Sequence, residues 1–293
     1  QQDAEAEAAK WGQEWNVGQP VAELDWPEDL KEQILQLPRL QVRAFRRALA
    51  SFPCGTGLGW DDLHPRALLR LDDNLLAALM RILFLCECRG VWPTATLLVL
   101  VALIPKTDGG RRPIGLLPLL PRIWMRARHS LVQQWERANG REYMYAGPGK
   151  GAQIAAWKQA ARAELSKHNG QQHAQVLLDL VKAFERLPYH VLVREAKRLG
   201  YNLAILRLSI ATYRLGRVVR VEGALTTIQR PTRGIVAGSV FATAELKLLM
   251  IRIVDQACFL HKTVVPTLYV DDTSAEATGE PDDILAELPP FVL

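Results

Sequence analysis

The chain has 293 residues, the length of one large domain or two modest ones, and 49% of them are hydrophobic, enough for a sizeable core. Its 36 basic and 31 acidic residues leave a charge of +5, a mild basicity compatible with a polyanionic partner without identifying one. The longest apolar run, Leu97 to Ile104, is far below the roughly 20 residues a membrane span requires, so a membrane partner is not expected. Cys54, Cys86, Cys88 and Cys258 form no CxxC pair, and Cys86-Glu87-Cys88 lacks zinc-ligand spacing. Reduced thiols in a nuclear or cytoplasmic protein are the expectation. No signal peptide is visible, and a start at Gln1 without Met is what a piece of a larger polyprotein would show.

The first fifty residues read as helical and polar, anchored by Trp11, Trp15 and Trp26. Arg39, Arg43, Arg46 and Arg47 gather late in this region, either as nucleic-acid contacts or as a solvated helix face suited to the C-terminal dipole. A Gly-rich break, Pro53 to Gly59, follows; no Lys-Ser/Thr comes after it, so it is no P-loop. The periodicity predicts one amphipathic helix over 63–88, with Leu68, Leu69, Leu71, Leu75, Leu76, Leu79, Ile82 and Leu83 as its buried face. Leu97 to Ile104 reads as a buried strand, and Asp108-Gly109-Gly110 as a hairpin-type turn that sets Lys106 and Arg112 face to face. Paired cations on such a finger suit a triphosphate, although a basic exposed hairpin fits equally.

Leu116 to Trp135 then reads as a helix, with Arg122, Arg126 and Arg128 interleaved with apolar residues. Gly147 to Gly151 is a break, and Ala152 to His168 a further helix. The run Val176-Leu177-Leu178 is a strand ending at Asp179; helical spacing at Leu192, Ala196 and Leu199 stops at Gly200. Arg217 to Val221 and Ala224 to Gln229 form a hairpin turning at Glu222-Gly223, and Gly234 to Ser239 leads into a helix from Val240 to Ala257. In the last segment Pro281, Pro289 and Pro290 argue against a long helix.

The most informative stretch is Tyr269-Val270-Asp271-Asp272, between a strand over 264–268 and a return strand over 273–277. Two carboxylates at a tight turn repel each other unless a cation joins them. With Asp179 at another strand end they make a plausible two-metal site for phosphoryl transfer. An Asp pair in a turn also has a purely structural use, since Asp bonds nearby backbone amides.

Taken in order, these segments resemble the reverse transcriptases of non-LTR retrotransposons and the related group II intron lineage. The resemblance rests on Leu58 to Pro65, on Ile104-Pro105-Lys106 through Arg112-Pro113-Ile114, and on Asp179 to Glu185. Gly234 to Ser239 and the Tyr269-Val270-Asp271-Asp272 box complete it. It implies an α+β right-hand polymerase with fingers and palm, the palm an antiparallel sheet backed by helices. The implied division is a helical extension over 1–52, fingers over 53–173 and a palm over 174–293. It implies two Mg²⁺ ions, with Mn²⁺ as a substitute, held by Asp179 and Asp271 with Asp272 in support. Lys106, Arg112, Phe184, Ala237 and Gly238 would meet the nucleotide. Arg39, Arg43, Arg46, Arg47, Arg122 and Arg126 would meet nucleic acid. The implied partners are an RNA template, a primer strand and dNTP, together with the remainder of a parent polyprotein, including a thumb and an endonuclease.

Three departures stand out. Glu185 replaces the usual Asp, and Ala237 replaces a Gln, removing a side-chain amide expected beside the nucleotide or template. The chain also ends soon after the box, so the thumb is expected to be absent. The leading expectation is an RNA-directed DNA polymerase. An RNA-dependent RNA polymerase shares the carboxylates; Phe184 discriminates, as a ring against the sugar 2′ position excludes the hydroxyl that distinguishes RNA. A decayed or domesticated RNA-binding copy without activity is the non-enzymatic alternative.

Overall fold

The computed structural model describes residues 2–107, 109–147 and 149–292; Gln1, Asp108, Pro148 and Leu293 lie outside the described residues. The Asp108 part of the expected turn and the Pro148 part of the expected break therefore fall outside them.

The chain opens with α1 (Gln2–Glu14). Trp11 and Trp15 are four residues apart, both are buried, and their rings stack with centroids 6.2 Å apart. The short α2 (Leu30–Leu35) buries Leu30 and Ile34, and α3 (Val42–Ala50) buries Phe45 and Leu49. The expected helix over 63–88 is two elements. Pro65–Arg70 is a 3-10 turn, and α4 (Asp73–Arg89) starts where the Asp72 carboxylate accepts from the Leu75 amide at 2.9 Å. It stops at Gly90, left-handed at φ 67°. Its buried residues are Leu76, Leu83, Cys86 and Glu87, while Leu75 and Ile82 are exposed, against the expected face. A helix apolar around most of its circumference does not announce which stripe is core.

The strands β1 (Leu98–Pro105) and β2 (Arg111–Leu116) pair antiparallel, Pro105 opposite Arg111 and Ile104 opposite Arg112. Lys106 and Arg112 are thus not the facing pair expected. The Lys106 amide donates to the Gly110 carbonyl at 2.8 Å, which places Lys106 inside the turn. Next come α5 (Leu119–Ala138), α6 (Ala152–His168), β3 (Gln172–Asp179) and α7 (Tyr189–Arg198). The helix α8 (Leu203–Tyr213), capped by Asn202 on the Ile205 amide at 3.0 Å, is buried on nearly every side, which hides the periodicity that would reveal it. The hairpin of β4 (Gly216–Val221) and β5 (Ala224–Leu225) turns at Glu222 and Gly223, both at positive φ as a type I′ turn needs. Its second strand is shorter than expected, returning only as a bridge from Gln229 to Arg217. Finally come α9 (Ala242–Leu260), β6 (Val265–Tyr269), β7 (Asp272–Gly279) and α10 (Pro281–Val292). The prolines do not prevent α10: Pro281 occupies its first position, where no amide is missed, and Pro289 and Pro290 sit within it.

The fold is α+β, in two compact units, each assembled from two stretches of chain: Gln1–Trp135 with Phe184–Ala242, and Glu136–Ala183 with Thr243–Leu293. The first unit holds a four-stranded sheet ordered β2-β1-β4-β5, with β1 and β4 parallel. Trp92, Trp124 and Phe241 pack edge to face, successive centroids 5.6 Å apart. Beside them Glu87, buried, accepts from Trp124 Nε1 at 2.7 Å and from Arg128 Nε and Nη2 at 2.6 and 2.7 Å.

The second unit holds an antiparallel sheet ordered β3-β7-β6. One face packs Val176, Ala275 and Ala277 against Ile284 and Leu288 of α10. On the other, α6 sends Gln159 to the Ser274 hydroxyl and Arg162 to buried Glu276. The outer edge of β6 is closed by residues 143–145, the Tyr145 amide donating to the Leu268 carbonyl and the Leu268 amide to the Tyr143 carbonyl, each at 2.8 Å. Among the described residues no helix is long and apolar enough to cross a membrane.

Candidate carboxylate site

The box at 269–272 is a two-residue hairpin loop. Tyr269 pairs with Asp272, leaving Val270 and Asp271 as the turn. Val270 is left-handed at φ 62°. A β-branched residue there is a genuine outlier, because its side chain crowds the backbone. The first turn position of such a hairpin ordinarily takes Gly.

Across the sheet the register continues, with Asp179 directly opposite Asp272. Facing positions of an antiparallel pair point to the same side, with Cβ atoms about 4.5–5.5 Å apart, and like charges so placed destabilise the sheet. Tyr269, Asp272 and Asp179 therefore form one row on one face, and Asp271 stands next to it in the turn. Asp179 and Asp272 are exposed and Asp271 half-buried. Among the described residues no ion pair or side-chain hydrogen bond answers any of the three; the Thr273 hydroxyl meets only the Asp271 backbone carbonyl, at 3.5 Å.

The same sheet shows what a neutralised carboxylate looks like. Glu276, four residues on from Asp272 on the same face, is buried and held by Arg162. Among the described residues no group of three or more His, Cys, Asp or Glu side chains is gathered to hold a metal ion by itself. Two opposed carboxylates do suit Mg²⁺, which takes oxygen ligands, commonly one or two carboxylates completed by substrate phosphates and water.

The nucleotide candidates belong to the first unit, and backbone contacts tie several of them together. The Ile235 amide donates to the Phe184 carbonyl at 2.7 Å, and the Gly115 amide of β2 donates to the Ala237 carbonyl at 2.6 Å. Gly238, at φ 122°, lies so close to β2 that a Cβ on it would meet the Gly115 oxygen at 2.3 Å. The loop 234–239 thus fastens Phe184, Ala237 and Gly238 to the strand that carries Arg112. Lys106 and Arg112 are exposed, at and beside the β1–β2 turn.

Behind this loop lies a cluster absent from the sequence reading. Arg217 is buried, its guanidinium 4.5 Å over the Trp15 ring, with Nη2 donating to the Gly234 carbonyl at 3.3 Å. Burial pulls it down to about 10, opposed by Tyr189 and Glu185. Glu185, Arg217 and Ala237 line a cavity of about 10 Å³, near the room one water needs. Nothing in the spacing of Arg217 on its strand distinguishes it from a solvent-facing arginine.

The candidate nucleic-acid arginines divide. Arg39, Arg43 and Arg47 are exposed. Arg46 pairs with Asp73 at 2.7 Å and also caps the Leu71 carbonyl at 2.7 Å, a structural clamp. Arg122 and Arg126 lie over the Phe52 ring at 5.6 and 4.9 Å, and Arg122 also donates to the Thr56 hydroxyl at 2.8 Å. Burial lowers the Arg122 pKa, with Asp61 opposing.

No family model matches the chain, and no curated protein sequence matches it. Among solved structures it is similar to apo telomerase from Candida tropicalis truncated from its C-terminal domain, at 13% identity and a TM-score of 0.48. The likeness covers 75% of this chain and 51% of that one, so the chain spans about half the length of that protein.

Proposed function

We propose that this chain is the fingers and palm of an RNA-directed DNA polymerase of the non-LTR retrotransposon type, with Asp179, Asp271 and Asp272 at its catalytic centre. The observation that carries this reading is the register of Asp179 opposite Asp272 beside a strained Val270-Asp271 turn, with no cation answering the charge among the described residues. Strain and uncompensated like charge both cost stability, and such costs cluster at working sites.

Asp179 and Asp271 are the ligands for Mg²⁺, with Asp272 in support. A Mg²⁺ ion held there would supply Lewis acidity toward a primer 3′-hydroxyl and countercharge for the dNTP phosphates. Lys106 and Arg112 grip the triphosphate, Arg112 with a forked donor set that Lys cannot reproduce. Phe184 lies against the sugar, where its bulk excludes a 2′-hydroxyl. Ala237 and Gly238 leave room beside the nucleotide. Exposed Arg43 and Arg47, with Arg122 and Arg126, add salt-sensitive affinity for the RNA template and primer.

Single-nucleotide extension of a primer on an RNA template, with dNTPs and NTPs in separate reactions, tests the reading. Incorporation of dNTP, opened to NTP by Phe184→Val, is the expected result. Preference of the unaltered chain for NTP would assign an RNA-dependent RNA polymerase instead. Ala237 supports the second reading, a domesticated RNA-binding protein. That reading stands if RNA binds, no nucleotide is added, and Mn²⁺ titration is unchanged by Asp271→Asn.

A further inference from the structure

We propose that α4 carries a docking groove for an acidic amphipathic helix of a partner protein. This is independent of the polymerase reading. A groove of about 430 Å³ is walled by Leu40, Ala77, Met80 and Phe84, with Arg39 and Arg81 also lining it. Positions 77, 80, 81 and 84 recur at intervals of three and four, so they form one stripe of the helix. That stripe is distinct from the core stripe of Leu76, Leu83, Cys86 and Glu87. Further round the helix, Leu75, Ile82 and Leu85 are 52%, 44% and 52% exposed. Apolar residues thus cover most of the helix circumference, more than its core contacts use.

The chemistry of the groove selects the occupant. Its third arginine, Arg128, is already committed to Glu87. Arg39 and Arg81 are exposed and have no acceptor among the described residues. The groove therefore offers an apolar floor and two unanswered positive charges. Met, Phe and Arg are enriched in protein interfaces; of the types depleted there, Ala77 lines the groove, whereas Lys, Asp, Glu and Ser do not. Surfaces that take nucleic acid are more polar and far more basic. Arg39, expected from the sequence to meet nucleic acid, also lines this groove. A helix laid in such a groove presents apolar side chains at i, i+3 and i+4. Flanking Glu or Asp would reach the two guanidinium forks.

The test is fluorescence anisotropy of the whole chain with a labelled helical peptide of Glu-Glu-Leu-Leu repeats. Controls are a Lys-Lys-Leu-Leu peptide and an acidic peptide with Ser at the Leu positions. The first should bind at least about tenfold more tightly than either control. Arg39→Glu with Arg81→Glu, both at exposed positions, should remove about tenfold or more of that affinity, and so should Met80→Ala with Phe84→Ala, while the circular-dichroism melt is unchanged. Should the apolar pair fail to fold, the charge pair decides alone. Equal binding of the Lys peptide, or affinity indifferent to the charge pair, overturns the proposal. So does a face that instead drives self-association or binds single-stranded RNA, lost on Arg39→Glu with Arg81→Glu while the acidic peptide never binds.

Discussion

Glu87 with Arg128 in the first unit, and Asp179 with Asp272 in the second, are opposite treatments of charge. The first pair is buried; its carboxylate takes two guanidinium bonds and an indole N–H. The second is two like charges in register at exposed strand ends, unanswered among the described residues. Charge in the first pair is neutralised where it is made, whereas the charge beside the strained turn is left open among the described residues.

The comparison breaks most visibly if the buried pair is removed. Arg128→Ala should cost about 3–5 kcal/mol in urea unfolding, because Glu87 would stay buried without its cation. A loss under about 1 kcal/mol would make the pair incidental. Next in size is the effect on chemistry. Asp179→Asn or Asp271→Asn should lower primer extension by about 10²–10³-fold, the scale of other lost electrostatic groups. The melt should barely move, and a parallel loss of stability would make these aspartates ordinary structural residues.

The turn itself offers a sharper probe. Val270→Gly should raise stability by about 1–3 kcal/mol by releasing the left-handed strain, read as a higher midpoint in urea. No gain would mean that the surrounding packing, not the side chain, sets the turn. Smallest of all, Asp272→Asn should stabilise the sheet by about 0.2–1 kcal/mol at low salt through relief of cross-strand repulsion. Added salt should shrink that gain.

Much of the second unit was legible in the sequence. The strands read on either side of Asp271-Asp272 announced the hairpin, and the apolar run before Asp179 announced a further strand, though not its pairing with β7. The cross-strand register was not legible, since it depends on which residues begin the turn. The same limit misplaced Lys106, which the Gly110 hydrogen bond draws into its loop. Helices apolar on several sides were the other blind spot: α8 gave no stripe to find, and α4 gave several. Arg217 was missed because burial under Trp15 depends on where α1 lies, and no local pattern records it.

The threading of the chain through its two units has a consequence for how the protein is made. The first unit is interrupted after Trp135 and resumes only at Phe184, so β1 lacks its parallel neighbour β4 until residues 216–221 have left the ribosome. The second is completed later in the chain. Among the described residues β3 pairs with β7 alone, and nearly a hundred residues of synthesis, at roughly 5–20 residues per second, separate the two. For several seconds the nascent chain carries Val176, Leu177 and Leu178 on an unpaired strand. A premature stop before residue 272 would release β3 with no mate, leaving an aggregation-prone edge in place of a smaller version of the protein.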